Sequence, residues 1–135
     1  MAKESGLAWT TLSLDNSAGS ANDIRNDVTN FQFGMPRAVQ DVTGVDKSAF
    51  ERLLLLADFS GQLNGVFNDA SNMSHATLKT VSSTSVNRTL ALSVSGQTLN
   101  NEVIVTDYAM TRAQDGALTW TAPFVLADGT VPTWS

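Results

Sequence analysis

The chain has 135 residues, a formal net charge of −5 and no cysteine, so one domain over residues 1–135 with a proper hydrophobic core is the natural partition of its length. The acidic balance argues against wrapping nucleic acid, because phosphate binding needs a basic surface, although it suits a wall that nucleic acid must pass without sticking. Zero cysteines rule out disulfides and thiolate metal sites and fit manufacture in a reducing cytosol.

Residues 1–7 read as an N-terminal arm without the apolar core of a secretory signal. No apolar run approaches the ~20 residues of a membrane span, and no membrane partner is expected. Trp9 to Leu14 alternates weakly as a first strand, closed by the turn-rich stretch Asp15-Asn16-Ser17-Ala18-Gly19-Ser20. Val28 to Met35 predicts a second strand with Phe31, Phe33 and Met35 on one face, stopped by Pro36. Residues 37–57 form a long connection, and connections of that length in a small β domain are usually functional. Within it, Ser48 and Glu51 fit a capping box, and Phe50, Leu53, Leu54 and Ala57 recur at helical spacing, which predicts one or two helical turns. Leu53, Leu54, Leu55 and Leu56 are too many consecutive leucines for one helix face, so part of the run is expected to meet a partner chain.

The next segment is the most regular of the chain. Phe59, Gly61, Leu63, Gly65 and Phe67 alternate with Ser60, Gln62 and Asn64, the period of a half-buried strand. Gly61 and Gly65 mark places where a backbone or a bulky ring approaches closely. Asp69 to Val81 predicts a helix with one apolar stripe, and Val86 to Gly96 a strand with Arg88 at the rim of its inward face. Strands over Val103 to Arg112 and Ala117 to Leu126 follow, joined through Asp115-Gly116, a hairpin signal. Residues 128–135 are a C-terminal tail carrying Trp134.

Catalytic motifs are missing. His75 is the sole histidine, read as a helix-surface residue without the partners a base needs. The carboxylates make no calcium-loop spacing, and the glycines make no phosphate-binding loop with a following lysine. No metal, cofactor or catalytic residue is expected. Trp9, Trp120 and Trp134 could stack on sugars, or pack on a neighbouring subunit.

The order of these segments resembles the tail tube (major tail) proteins of long-tailed bacteriophages over roughly residues 8–126. The resemblance is carried by Asp23-Ile24-Arg25-Asn26-Asp27-Val28 before the strand ending Phe33-Gly34-Met35-Pro36-Arg37, and by Asp41-Val42-Thr43-Gly44 opening the long connection. It continues through the acidic strand segment from Asp58 to Asp69, then Val103-Ile104-Val105-Thr106-Asp107-Tyr108 and Gly116-Ala117-Leu118-Thr119-Trp120 as a closing hairpin. The leucine-rich run departs from that pattern, since relatives often carry more polar and aromatic residues there.

The resemblance implies a mainly β fold, a β-sandwich or barrel with one flanking α-helix and a long inter-strand loop. It implies a virion structural protein of the tail, made in the host bacterial cytoplasm and without enzymatic activity. Such subunits form hexameric rings stacked into a tube, with other phage tail proteins as partners, and DNA passes through without specific binding. Residues 37–57 occupy the place of the loop that reaches the adjoining ring, so Phe50, Leu53, Leu54, Leu55, Leu56 and Trp134 are the expected assembly residues. A tail terminator or head–tail adaptor shares the strand order, and a stand-alone β-sandwich module binding carbohydrate is the rival from another class.

Overall fold

The computed structural model describes residues 3–135, so the first two residues of the expected arm lie outside it. Gly6–Ala8 forms a 3-10 turn, capped by Ser5 Oγ accepting from Leu7 N. Ten strands and one helix follow: β1 (Trp9–Asp15), β2 (Ala21–Asp23), β3 (Val28–Gly34), β4 (Arg37–Asp41), β5 (Arg52–Ala57), β6 (Ser60–Val66), α1 (Ser74–Leu78), β7 (Arg88–Val94), β8 (Gln97–Val105), β9 (Ala109–Arg112) and β10 (Leu118–Leu126). The chain is mainly β, as expected, with one short helix against a large antiparallel sheet.

Eight strands make that sheet, in the order β2-β1-β7-β8-β10-β6-β3, with β9 paired to β10 beyond the end of β8. The sheet bends back on itself. Trp9 of β1 meets Phe31 of β3 edge-on at 4.8 Å between ring centroids, although the two strands are not paired. One cluster fills the inside: Leu12 and Leu14 from β1, Leu90 and Leu92 from β7, Leu99 and Val103 from β8, Leu63 from β6, and Trp120 and Phe124 from β10. Phe59, just before β6, Ile24, just after β2, Leu78 of α1, Val105 of β8 and Ala122 of β10 complete it. Each strand contributes alternate residues, as a pleat packed on one side requires.

The two glycines of β6 have the role their spacing foretold. A Cβ at Gly65 would come within 2.6 Å of the Trp120 ring and still closer to the Asp27 carbonyl, and one at Gly61 would overlap the backbone of β3. Their lack of a side chain lets β3 and Trp120 close onto the strand.

Four expectations need correction. The helical turns expected within residues 46–57 are absent; β5 is a strand whose long-range pairing with β4 overrides the local capping signal. The helix over 69–81 shrinks to Ser74–Leu78, flanked by turns. The single strand over 103–112 is two strands, separated at Thr106–Tyr108. Opposite that break sits Pro123, whose carbonyl accepts from Thr106 N at 3.0 Å but whose ring nitrogen has no hydrogen to return, so the ladder is interrupted there.

Arg88 is the fourth correction: it is buried rather than at a rim, with 2% of its surface exposed. Its guanidinium donates to the carbonyls of Asp15 and Thr77 and to Thr80 Oγ1, at 2.9, 2.7 and 3.0 Å. Burial lowers its pKa from the ordinary arginine value, partly offset by Asp15. The side chain thereby ties the end of β1 to α1 and the turn after it. Asp27 does similar work on the other side of the helix, accepting from Ser74 N and from Asn68 Nδ2, both at 2.9 Å.

Candidate assembly surface

β4 and β5 form a separate two-stranded sheet, and their pairing grows directly out of the body. Gly34 opposite Ser60, at the end of the β3–β6 ladder, is followed three residues further on each strand by Arg37 opposite Ala57. The four strands are therefore two arms of one long hairpin, and the connection over 37–57 is its outer half. At the joint, Pro36 has no N–H to give, and its carbonyl accepts from Asp58 N at 2.9 Å. The register then slips between Arg37 and Val39, leaving β5 with an extra residue. Arg37 answers the slip by donating Nε and Nη2 to the Leu55 carbonyl, at 3.1 and 2.7 Å.

Asp41 and Thr43 close the far end. Asp41 Oδ1 accepts from Thr43 N and Oγ1, and Thr43 Oγ1 accepts in turn from Glu51 N at 2.8 Å. The Thr43 side-chain hydroxyl, followed by its backbone N–H, holds the Asp41 pKa below the usual carboxylate value.

Val39 stands opposite Leu54 and Gln40 opposite Leu53, so consecutive leucines point to opposite faces of the hairpin. None is covered by its own chain: exposure runs from 39% at Leu55 to 86% at Leu56. Phe50 is 72% exposed, with the Arg52 guanidinium 4.6 Å from its ring centroid. The hairpin thus collects five of the six expected assembly residues. The sixth, Trp134, lies elsewhere: the C-terminal tail returns to the body, Ser135 exchanges backbone hydrogen bonds with Thr98, and the Trp134 ring packs 6.2 Å from Phe33. Val39 and Val45, both exposed, belong to the same apolar hairpin surface and were missed. Val39 could have been found only by pairing residues 37–41 with the leucine run.

A second feature concerns backbone edges. Along the path β9-β10-β6-β3, among the described residues, β9 pairs only with β10 and β3 only with β6, so the path ends in a strand with one unpaired edge on each side. Unpaired edges present rows of N–H and C=O groups that template further pairing. An open groove of about 650 Å³ runs along the β3 edge, floored by Trp9, Phe31 and Phe33.

The remaining candidates for chemistry are engaged in packing. His75 is half-buried rather than a plain surface residue, with its ring 4.7 Å from that of Phe67 and Nδ1 3.2 Å from the Tyr108 hydroxyl. Burial raises the Tyr108 pKa, and the negative charge of Asp27 adds to the shift. Trp120 is buried and donates Nε1 to the Val66 carbonyl at 2.8 Å, while Trp9 packs against Phe31 and Phe33. Trp134 stays 38% exposed beside Phe33, and Trp9 contributes to the floor of the groove along β3. Among the described residues, no group of three or more His, Asp or Glu side chains is placed to hold a metal ion.

No protein-family model and no curated protein sequence matches the chain. Solved structures do. A chain in the tail of an empty gene transfer agent particle, obtained by helical refinement with C6 symmetry, superimposes with a TM-score of 0.71 at 17% identity, over 98% of both chains. A chain in the virion of a native gene transfer agent particle gives a TM-score of 0.69 at 15% identity, over 97% of this chain and 99% of that one. At such identities the likeness is one of fold, and it extends over nearly the whole of both chains.

Proposed function

We propose that this chain is a virion structural protein, the subunit of a phage-type tail tube built from stacked hexameric rings whose lumen conducts DNA. The observation that carries the reading is the full-length likeness to a chain of a tail with C6 symmetry. The subunit acts by assembly with its own copies and with other tail proteins, and is not an enzyme.

The geometry supplies a means for each step. A path of strands with one free edge at β9 and another at β3 repeats head to tail, and a heterologous contact of that kind closes into a ring when its rotation permits. The leucine hairpin projects apolar surface that only another chain can cover, which suits contact between neighbouring subunits or rings. Burying a leucine side chain is worth about 1.5–3 kcal/mol, so a few of them drive association once the backbone that carries them is already ordered.

Sedimentation across a wide concentration range, with negative-stain microscopy of the same samples, tests the proposal. Rings or tubes are the expected result. A monomer at every concentration, including at high salt, rules it out.

A further inference from the structure

Leu7 is 95% exposed, more than any leucine of the hairpin. It sits on a turn that is already fixed: Ser5 Oγ accepts from Leu7 N and the Ser5 carbonyl from Ala8 N, both at 3.2 Å. A single exposed leucine is ordinary, but its place in the fold is informative. Gly6 of the same turn lines the groove along the β3 edge, and Trp9, which starts β1, packs edge-on against Phe31 of β3.

The far side of the subunit carries a hollow. Trp9 lies opposite Val94 and Leu14 opposite Leu90, while Arg88 at the start of β7 lies opposite Val103 near the end of β8. The three strands thus share two ends: β1 starts at one, and β7 starts and β8 finishes at the other. At the second end is an open cavity of about 420 Å³. Half-buried Val81 and Val86 and exposed Ile104 give it apolar lining, and exposed Ser82, Thr84 and Thr106 give it hydroxyls. From there the chain passes through residues 106–108 into β9. The knob therefore stands beside the β3 edge and the hollow beside the β9 edge.

We infer that Leu7 of one copy seats in the cavity of Val81, Val86 and Ile104 on the next copy around the ring. The inference rests on the tube reading and adds to it a second contact, made by the layer of β1, β7 and β8 rather than by strand edges. In a head-to-tail repeat the β3 side of each copy faces the β9 side of its neighbour, which brings knob and hollow to the same seam. Apolar residues bordered by exposed hydroxyls have the layout of an interface centre and its rim. The capped turn is ordered before it docks, so little conformational freedom is lost on binding.

The contact performs a task that strand edges do not. Edge hydrogen bonds repeat along a strand, so two edges can pair in more than one register. A ring closes only when every seam has the same register and angle. One side chain in one hollow selects a single arrangement from those the edges permit.

The test exploits the absence of native cysteine. Leu7→Cys and Val86→Cys are combined in one chain, assembled and then oxidised. Denaturing gels should show a covalent ladder ending at six chains, for a ring of the proposed C6 symmetry, while either single variant gives nothing beyond a dimer. Tubes of the double variant without a ladder overturn the inference, and so does a ladder running past six, which places the contact between rings. Both outcomes leave the tube reading standing. Failure of the wild-type chain to form rings or tubes under any condition overturns both.

A second arm uses Leu7→Asp, with folding checked by circular dichroism, beside the conservative Leu7→Met. The aspartate variant should raise the concentration at which rings form at least about tenfold, and the methionine variant should leave it near that of the wild type. An unchanged concentration for Leu7→Asp also overturns the inference.

Discussion

β5 and β6 are separated by only two residues, both are antiparallel strands, and both carry leucine, yet their surroundings are opposite. Along β6, Leu63 is 1% exposed and Gly65 is buried under the Trp120 ring. Along β5, no residue is buried. The backbone of β5 is nevertheless hydrogen-bonded along one edge, by pairing with β4 and by Arg37. Hydrogen-bonded strand formation and the burial of what the strand carries are thus separable, and here the chain makes the first without the second. The body takes its stability from inside itself, whereas the hairpin has apolar surface still to bury.

The comparison can be broken by substitutions on either side of it. Leu63→Ala in the body should cost about 2–5 kcal/mol through lost transfer energy and a cavity, read as a lower denaturation midpoint with unchanged slope. Gln62→Ala on the opposite face should be nearly neutral, and equal shifts for the two would contradict the orientation of β6. Gly65→Ala drives a methyl group into Trp120 and the Asp27 carbonyl, and about 1–3 kcal/mol of overpacking strain is expected in the same assay. Replacing Leu54 and Leu55 together by Asp should change the stability of the free subunit by less than about 0.5 kcal/mol, as exposed positions do. That pair should nonetheless abolish polymerisation, seen as folded protein by circular dichroism and no tubes by microscopy. Unfolding of the double variant would show that the leucines support the body, and normal tubes would show that they support nothing.

The smallest effect concerns the hairpin tip. Asp41 has a folded pKa below its ordinary 3.8, so its contribution to closing the tip is present above that ordinary value. It is lost as pH falls through the lowered folded one. Thr43 and Glu51 amide resonances should report this opening in acid while those of β6 stay fixed, and joint movement of both sets would argue against a local event.

The sequence made the body legible wherever one side of a strand is packed. The alternation from Phe59 to Phe67 set the face of β6, and the glycine spacing located the close approaches, because both are local consequences of a pleat. The leucine run defeated the same reasoning. Four consecutive apolar residues have no period, and Ser48 and Glu51 imitate a helix start although they lie in the turn region of a hairpin. What decided the matter was the partner strand β4, eleven and more residues away. Arg88 was misplaced for a related reason: two of its three acceptors are carbonyls of Asp15 and Thr77, and carbonyls leave no trace in a residue pattern. The break between β8 and β9 comes from Pro123 on a different strand. The candidate assembly residues were visible as composition and only partly as geometry, since nothing in Trp134 announces that the tail folds back onto Phe33.

The joint between the two halves of the long hairpin has a mechanical meaning. Between Gly34 opposite Ser60 and Arg37 opposite Ala57, the strands are spanned by the hydrogen bond from Asp58 N to the Pro36 carbonyl, and the proline supplies no second one. Stiff ladders lie on both sides of this narrow waist. If the outer half grips a neighbouring copy, bending of the filament concentrates at the waists while each body keeps its shape, as in a chain of rigid links with compliant couplings. Filament curvature should then respond to Met35→Gly far more than to Gln62→Ala, and persistence lengths traced from micrographs of the two variants would decide it.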